Sequence, residues 1–275
     1  MRPIERSLAT SHGAVAVVDN GIAAPAVLLI HGNSMCWQVF TGQFESPLYE
    51  HCRMIAFDLP GHGASEDARD PERSYSIPGY AELALEILDA LAVHEAAILG
   101  WSLGGHVGLE VMARWSGLRG LMVVGTPPVT PSPDALSEAF LQTPLMAFAG
   151  QQEAAPHEAE AYARACCGAV VDRMPVLLEA ARRTDGRARH LMMTSALAGK
   201  GADGRRVAET ATVPLAVVAG AEDPFVNRRY LLSLDYACLW RDEVHVMEHC
   251  GHAPFLDRPS AFNALFESFL SEIWR

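Results

Sequence analysis

The chain has 275 residues, half of them hydrophobic and a fifth charged, the balance of a folded globular protein and not of a disordered one. Its 33 acidic and 21 basic side chains leave a formal net charge of −12, which disfavours phosphate backbones and anionic membrane surfaces and sets nucleic acid and membrane aside as partners. No run approaches the roughly 18 to 20 apolar residues that cross a bilayer. The opening stretch MRPIERSLATSHG lacks the apolar core of a secretory signal, so a cytoplasmic location is expected. The six cysteines form no CxxC and no zinc-like spacing. Buried free thiols in a reducing compartment are expected, with the adjacent Cys166 and Cys167 acting as small hydrophobes in a helix.

In chain order, VAVVDNG (15–21) closes on Asn20-Gly21, a hairpin-turn signal, and AVLLIHG (26–32) is the next apolar run. The spacing predicts an antiparallel hairpin there. RMIAFDLPG (53–61), AAILGWS (96–102), RGLMVVG (119–125), PLAVVAG (214–220) and EVHVMEH (243–249) read as further strands, and unbroken apolar runs suit strands buried on both faces. Tyr80, Leu83, Ala84, Ile87, Leu88 and Leu91 fall on one helical face, as do Phe262, Leu265, Phe266, Phe269, Leu270 and Ile273. This alternation predicts an α/β fold: an eight-stranded, mostly parallel sheet flanked by helices, with ligands at the carboxyl ends of the strands. The alternation breaks over residues 127–210, from TPPVTPSPD through HEAEAYARACC and DRMPVLLEAARR to GKGADGRR. A helical cap is predicted there, inserted between core segments 1–126 and 211–275.

The chemistry centres on Gly100-Trp101-Ser102-Leu103-Gly104, which follows a strand and precedes a glycine-rich helix. Such a strand, sharp turn and helix present a serine as a nucleophile, and the amide of Leu103 can donate to an oxyanion. A serine hydroxyl needs a base and an orienting acid. His252, in Gly251-His252-Ala253-Pro254-Phe255 after the last strand, is the expected base; His245 and His249 read as ordinary strand or rim histidines. Asp223, followed by Pro224, is favoured as the acid over the adjacent Glu222. The turn His31-Gly32-Asn33-Ser34 after AVLLI is expected to supply the second oxyanion amide, from Asn33. Asp58-Leu59-Pro60-Gly61-His62-Gly63 reads as a structural loop.

The order Ser102, Asp223, His252 resembles that of the α/β-hydrolase superfamily across nearly the whole chain. HGNSMCWQVF, DLPGHGASEDARDPERSYSIPGYA, GWSLGGHVGLEVMARW, RGLMVVGTPPV, YARACCG, RTDGRAR and GHAPF resemble, more narrowly, the serine-dependent N-acyl-homoserine lactone lactonases of this fold. That resemblance implies ring opening of an acylated lactone, a small-molecule substrate, with Asn33 and Tyr162 contacting the lactone, Trp101 beside them in the substrate site, and no cofactor. In that family the position of Asp223 can hold glutamate. An acyl tail would need apolar surface from the cap, and two or three of Leu145, Met146, Phe148, Met174, Leu177, Leu178, Met192 and Met193 are expected to touch it.

The alternatives are a general carboxylesterase, a carbon–carbon bond hydrolase, a slow-turnover signal receptor and a cofactor-independent oxygenase. Haloalkane dehalogenases and epoxide hydrolases need aspartate where Ser102 stands. The HxHxDH cluster of metal-dependent lactonases is absent, and His245, His249 and His252 span a strand-to-loop junction, not the helix face of HExxH, so no metal is expected. Chelators are expected to leave activity unchanged; loss of activity restored by zinc would contradict this.

Overall fold

Every residue of β3 (Ala26–Ile30) and of β5 (Ala96–Trp101) is buried, which requires cover on both faces of the sheet. The computed structural model describes residues 4–275 and supplies that cover. The other strands are β1 (Ile4–Thr10), β2 (Gly13–Asp19), β4 (Arg53–Phe57), β6 (Leu118–Val124), β7 (Leu215–Gly220) and β8 (His245–Met247). They form one sheet of eight strands in the order β1-β2-β4-β3-β5-β6-β7-β8, and the six from β3 to β8 run parallel.

Neighbouring residues of β6 point to opposite faces. Leu121 meets the helix Leu103–Met112 at Gly108, while Gly120 leaves room for Phe269 and Ile273 of the helix Pro259–Ile273. The helix Ile77–Ala90 packs against Leu103–Met112 and buries Tyr80, Leu83, Ala84, Ile87 and Leu88, most of the face read from the sequence. Each fully buried Leu, Ile or Phe contributes roughly 1.5–3 kcal/mol.

The predicted hairpin is corrected. β2 and β3 are not neighbours, because β4 lies between them; β2 pairs antiparallel with β4 on one side and with β1 on the other. The tight turn is Ser11-His12, where Thr10 pairs with Gly13. Asn20 does not turn the chain back because its side chain is committed elsewhere: its amide donates to the Tyr49 and Cys52 carbonyls, and its oxygen accepts from the Met54 amide. β1 has no apolar run to announce it. Glu5, Arg6 and Ser7 are exposed, and Arg6 pairs with Asp19 across the strand boundary at 2.6 Å.

Between β6 and β7 lie six α-helices, Pro133–Ala139, Pro144–Phe148, Pro156–Cys167, Pro175–Arg183, Gly186–Leu197 and Gly204–Glu209. Four of them open with proline, whose fixed φ and missing N–H suit the first helical position. Arg183 fastens this segment to the Asp58-Leu59-Pro60-Gly61 loop by donating to the Gly61 and Ser65 carbonyls at 2.9 and 2.7 Å and to Asp67 at 3.0 Å. Asp185 adds its own amide, donated to Gly61, and accepts the Tyr75 hydroxyl at 2.7 Å. All six cysteines are free. Among the described residues no helix is long and apolar enough to cross a membrane. Arg183→Ala is expected to speed amide exchange through Pro175–Leu197 while leaving the sheet protected. Uniform change along the chain would mean that the contact is not a local fastening.

Candidate active site

Ser102 follows β5 and begins the helix Leu103–Met112 with φ 54° and ψ −117°, in the left-handed half of the map that a side-chain-bearing residue enters at a cost of roughly 1–3 kcal/mol. Three contacts hold it there. Its amide donates to the Val124 carbonyl at 2.9 Å, its own carbonyl accepts the Thr126 hydroxyl at 2.9 Å, and the next turn is pressed onto β3 so closely that a Cβ on Gly104 would collide with the Ile30 carbonyl. The hydroxyl is thereby turned out beyond the carboxyl end of the sheet.

The loops after β7 and β8 bring Asp223 and His252 together. His252 Nδ1 and Asp223 Oδ2 are 2.8 Å apart, and both side chains are only 3% exposed. The other carboxylate oxygen accepts the Phe225 and Val226 amides at 2.8 and 3.1 Å, so the acid cannot swing away. Because the carboxylate only accepts, the His252 proton sits on Nδ1 and leaves Nε2 free. Phe225 meets the imidazole edge-on at 4.8 Å. Glu222, the sequence alternative, is 68% exposed and lies nearest to His249, 3.7 Å away at the surface. The Ser102 hydroxyl and His252 line one cavity, without a direct hydrogen bond between them.

Asn33 follows β3 and lines the same cavity, as does Leu103. The Asn33 side chain donates to the Ala149 carbonyl at 3.0 Å, while among the described residues no acceptor takes its backbone amide or that of Leu103. His31 shapes this turn from beneath. Its Nε2 accepts the Leu59 amide at 3.0 Å, so Nδ1 carries the proton and donates to the Gly32 carbonyl at 2.7 Å. Asp58 ties the same two loops by accepting the Trp37 amide at 2.7 Å and the Ala64 amide at 2.8 Å.

The cavity holds about 280 Å³ and runs from Ser102 and His252 beneath the inserted helices. Tyr162 lines it while stacking on Phe148, with centroids 4.5 Å apart. Of the eight apolar residues named from the sequence, Met146, Met192 and Met193 reach it. Trp101 does not, which corrects its placement in the substrate site. As the last residue of β5 it points away into the core, 1% exposed, where its indole N–H donates to the His252 carbonyl at 2.9 Å and its ring packs edge-on against Phe255. It supports the histidine from behind. Ile77, His106, Leu109, Phe140 and Phe225 also line the cavity and were not singled out in the sequence. His106 was accessible to inference, since it stands one helical turn after Ser102. Among the described residues no three His, Cys, Asp or Glu side chains gather as a metal site.

Burial holds His31 and His106 down to about 4, against an ordinary 6.5, and drives His62 well below that value too. The unfolded chain therefore takes up protons on these rings between about pH 6.5 and 4 while the folded chain does not, and stability falls as pH drops through that window. Asp58 works in the opposite sense. Burial pushes its carboxyl up to about 6 despite the two amides it accepts, so the folded state binds that proton first. Three rings outweigh one carboxyl, and the thermal midpoint is expected to fall between pH 6.5 and 4. His31→Gln should make that fall shallower; an identical pH profile in the variant would count against His31 as a source.

Residues 27–265 match the model of the alpha/beta hydrolase family. In the solved structures the chain is similar to the N-acyl homoserine lactonase AidH, in a variant complexed with N-hexanoyl homoserine, at 40% identity and a TM-score of 0.95, with 98% of this chain and 97% of that one covered. Another AidH variant, matched at the same identity, is complexed with N-hexanoyl homoserine lactone. The pimeloyl-[acyl-carrier protein] methyl ester esterase of Yersinia pseudotuberculosis is 27% identical over 90% of this chain and 93% of its own. With the matched segment spanning the loops of Asn33, Ser102, Asp223 and His252, and the eight-stranded sheet that aligns them, the chain belongs to the alpha/beta hydrolase family.

Proposed function

We propose that this protein opens the lactone ring of N-acyl homoserine lactones, using Ser102 as nucleophile, His252 as general base and Asp223 as the acid that orients it. The chain is a hydrolase of carboxylic ester bonds, and a lactone is a cyclic ester. The chemistry rests on one observation: a buried His252–Asp223 pair whose free imidazole nitrogen shares a cavity with a serine held in a strained turn. The choice of substrate rests on the likeness to AidH, which has been captured with both a lactone and a ring-opened N-acyl homoserine and whose similarity to this chain runs through the inserted helices as well as the sheet. Residues 127–210 are accordingly read as a cap over core segments 1–126 and 211–275.

In the proposed sequence His252 Nε2 takes the Ser102 proton as Oγ attacks the lactone carbonyl carbon. The backbone amides of Asn33 and Leu103, without an acceptor among the described residues, stabilise the resulting oxyanion. Collapse breaks the ring C–O bond, and His252 returns the proton to the departing homoserine oxygen. Because the ring opens without splitting off a fragment, that hydroxyl stays attached to the acyl group on Ser102. Water then enters, gives its proton to His252 and attacks the ester, and Ser102 leaves with that proton. One water is consumed, and the product is N-acyl homoserine. Tyr162 and the Asn33 side chain flank the lactone, and Met146, Met192 and Met193 offer the tail an apolar wall.

Acyclic ester hydrolysis is the second reading, supported by the likeness to the Yersinia methyl ester esterase. Incubation with N-acyl homoserine lactones is expected to yield a product one water heavier with the amide intact, at a kcat/KM well above that for simple aryl or methyl esters. The reverse order of preference would favour the esterase reading, and release of free homoserine lactone would mean amide cleavage. Ser102→Ala should lower the rate by several orders of magnitude with the fold retained. Asp223→Asn should cost far more than Glu222→Gln, and equal losses would remove Asp223 from its role.

A further inference from the structure

His252 stands in an irregular loop between β8 and the short helix Pro254–Asp257, so its place must be fixed from outside. The Glu222 amide donates to the Cys250 carbonyl at 2.9 Å, and Gly220 lies so close to the Gly251 carbonyl that a Cβ there would collide with it. Behind the histidine, the Trp101 indole holds the His252 carbonyl, and a Cβ on Gly125 would crowd the ring. One further restraint comes from a side chain to which the steps above give no part. The Gly251 amide donates to Asp257 Oδ2 at 2.8 Å, a bond that spans six positions and closes the chain around His252. The other oxygen of Asp257 lies beside Gly168, on which a Cβ would sit 3.3 Å from it. Gly168 ends the helix Pro156–Cys167, which carries Tyr162 into the cavity.

We propose that Asp257 is a positioning residue for His252: by accepting the Gly251 amide, its carboxylate holds the backbone from which the imidazole projects into the cavity. This rests on His252 being the general base and not on which ester is cleaved. Asp223 and Asp257 then divide the task. Asp223 grips the ring at Nδ1 and sets its tautomer, while Asp257 secures the other end of the residue, one position before its Cα. A hydrogen bond to an ionised acceptor is stronger than one between neutral groups, and Gly251, with no Cβ to restrict it, has the most freedom to lose. A misplacement of about 1 Å at a catalytic group can cost roughly 100-fold in rate. The walls that would hold the substrate, Asn33, Tyr162, Met146 and Met192, belong to other elements, so loosening Gly251 touches the proton transfer and leaves binding in place.

The test measures kcat and KM for N-hexanoyl homoserine lactone and for p-nitrophenyl butyrate in the wild type, Asp257→Ala, Asp257→Ser and Asp257→Asn. In Asp257→Ala kcat should fall about ten-fold or more with both substrates while KM stays within about two-fold. Asp257→Ser, too short to reach the amide, should match it and replaces it if the alanine variant does not fold. Asp257→Asn, whose amide oxygen can accept the same N–H, should recover most of kcat. The proton between His252 Nδ1 and Asp223 is read independently, as a downfield resonance in the proton NMR spectrum that should weaken in Asp257→Ala and persist in Asp257→Asn. Unchanged kcat and resonance in the alanine and serine variants, a loss carried by KM alone, or an asparagine variant as slow as the alanine one overturns the role of Asp257. His252→Ala with the wild-type rate overturns the general-base reading and this proposal with it. If only the aryl ester is turned over, the choice of a lactone falls, and the same comparison on the ester still decides the role of Asp257.

Discussion

The left-handed turn at Ser102 is a conformation the chain would not adopt by itself, and the rest of the structure is arranged to impose it. A cost of roughly 1–3 kcal/mol at one residue is small against the burial of two sheet faces, but it must be met at that spot. The Val124 carbonyl at the end of β6 and the Thr126 hydroxyl just after it grip the residue, and Gly104 presses its helix onto the end of β3. Three parallel strands and one helix must therefore be in register before the serine can face the cavity. A Cβ at Gly104 would break that register, which gives the second glycine of the motif its own physical necessity.

A similar dependence links the turn at Asn33 to the inserted helices. Arg183 and Asp185 hold the Gly61–Ser65 loop, Asp58 joins that loop to the Trp37 amide, and His31 bridges Leu59 to Gly32. The Asn33 side chain completes the circuit by donating to Ala149 within the inserted segment. The loop read from the sequence as structural is thus the joint through which the helices above the cavity and the free amide of Asn33 keep their relative position.

The parallel strands were legible because burial on both faces forces unbroken apolar runs such as AVLLI and LAVVAG. The helices Ile77–Ala90 and Pro259–Ile273 were legible for the complementary reason, one apolar stripe on each. Pairing partners were not. Asn20-Gly21 has the chemistry of a hairpin, but the three side-chain hydrogen bonds of Asn20 and the pairing of β2 with β4 bind it to residues distant in sequence. Asp223 could be preferred over Glu222 from the proline that follows it, but a carboxylate 2.8 Å from an imidazole is a three-dimensional fact. Trp101 went the other way: it stands next to Ser102 in the chain, but it closes β5 with its ring in the core while the chain turns sharply at Ser102. The cavity wall was least legible, because a methionine packed in a helix and one facing a ligand share the same spacing.

β1 was missed for want of hydrophobicity, and that poverty has a use. Without it β2 would be the sheet's outer strand, and Val15, Val17 and Val18, all buried, would flank a row of unpaired amides and carbonyls. Such an edge invites pairing with the same edge of another molecule. β1 closes that row with its own backbone and turns Glu5 and Arg6 outward, so the sheet ends in a charged, hydrated border. The strand that contributes least to the core thereby replaces a valine-lined edge with one that carries charge.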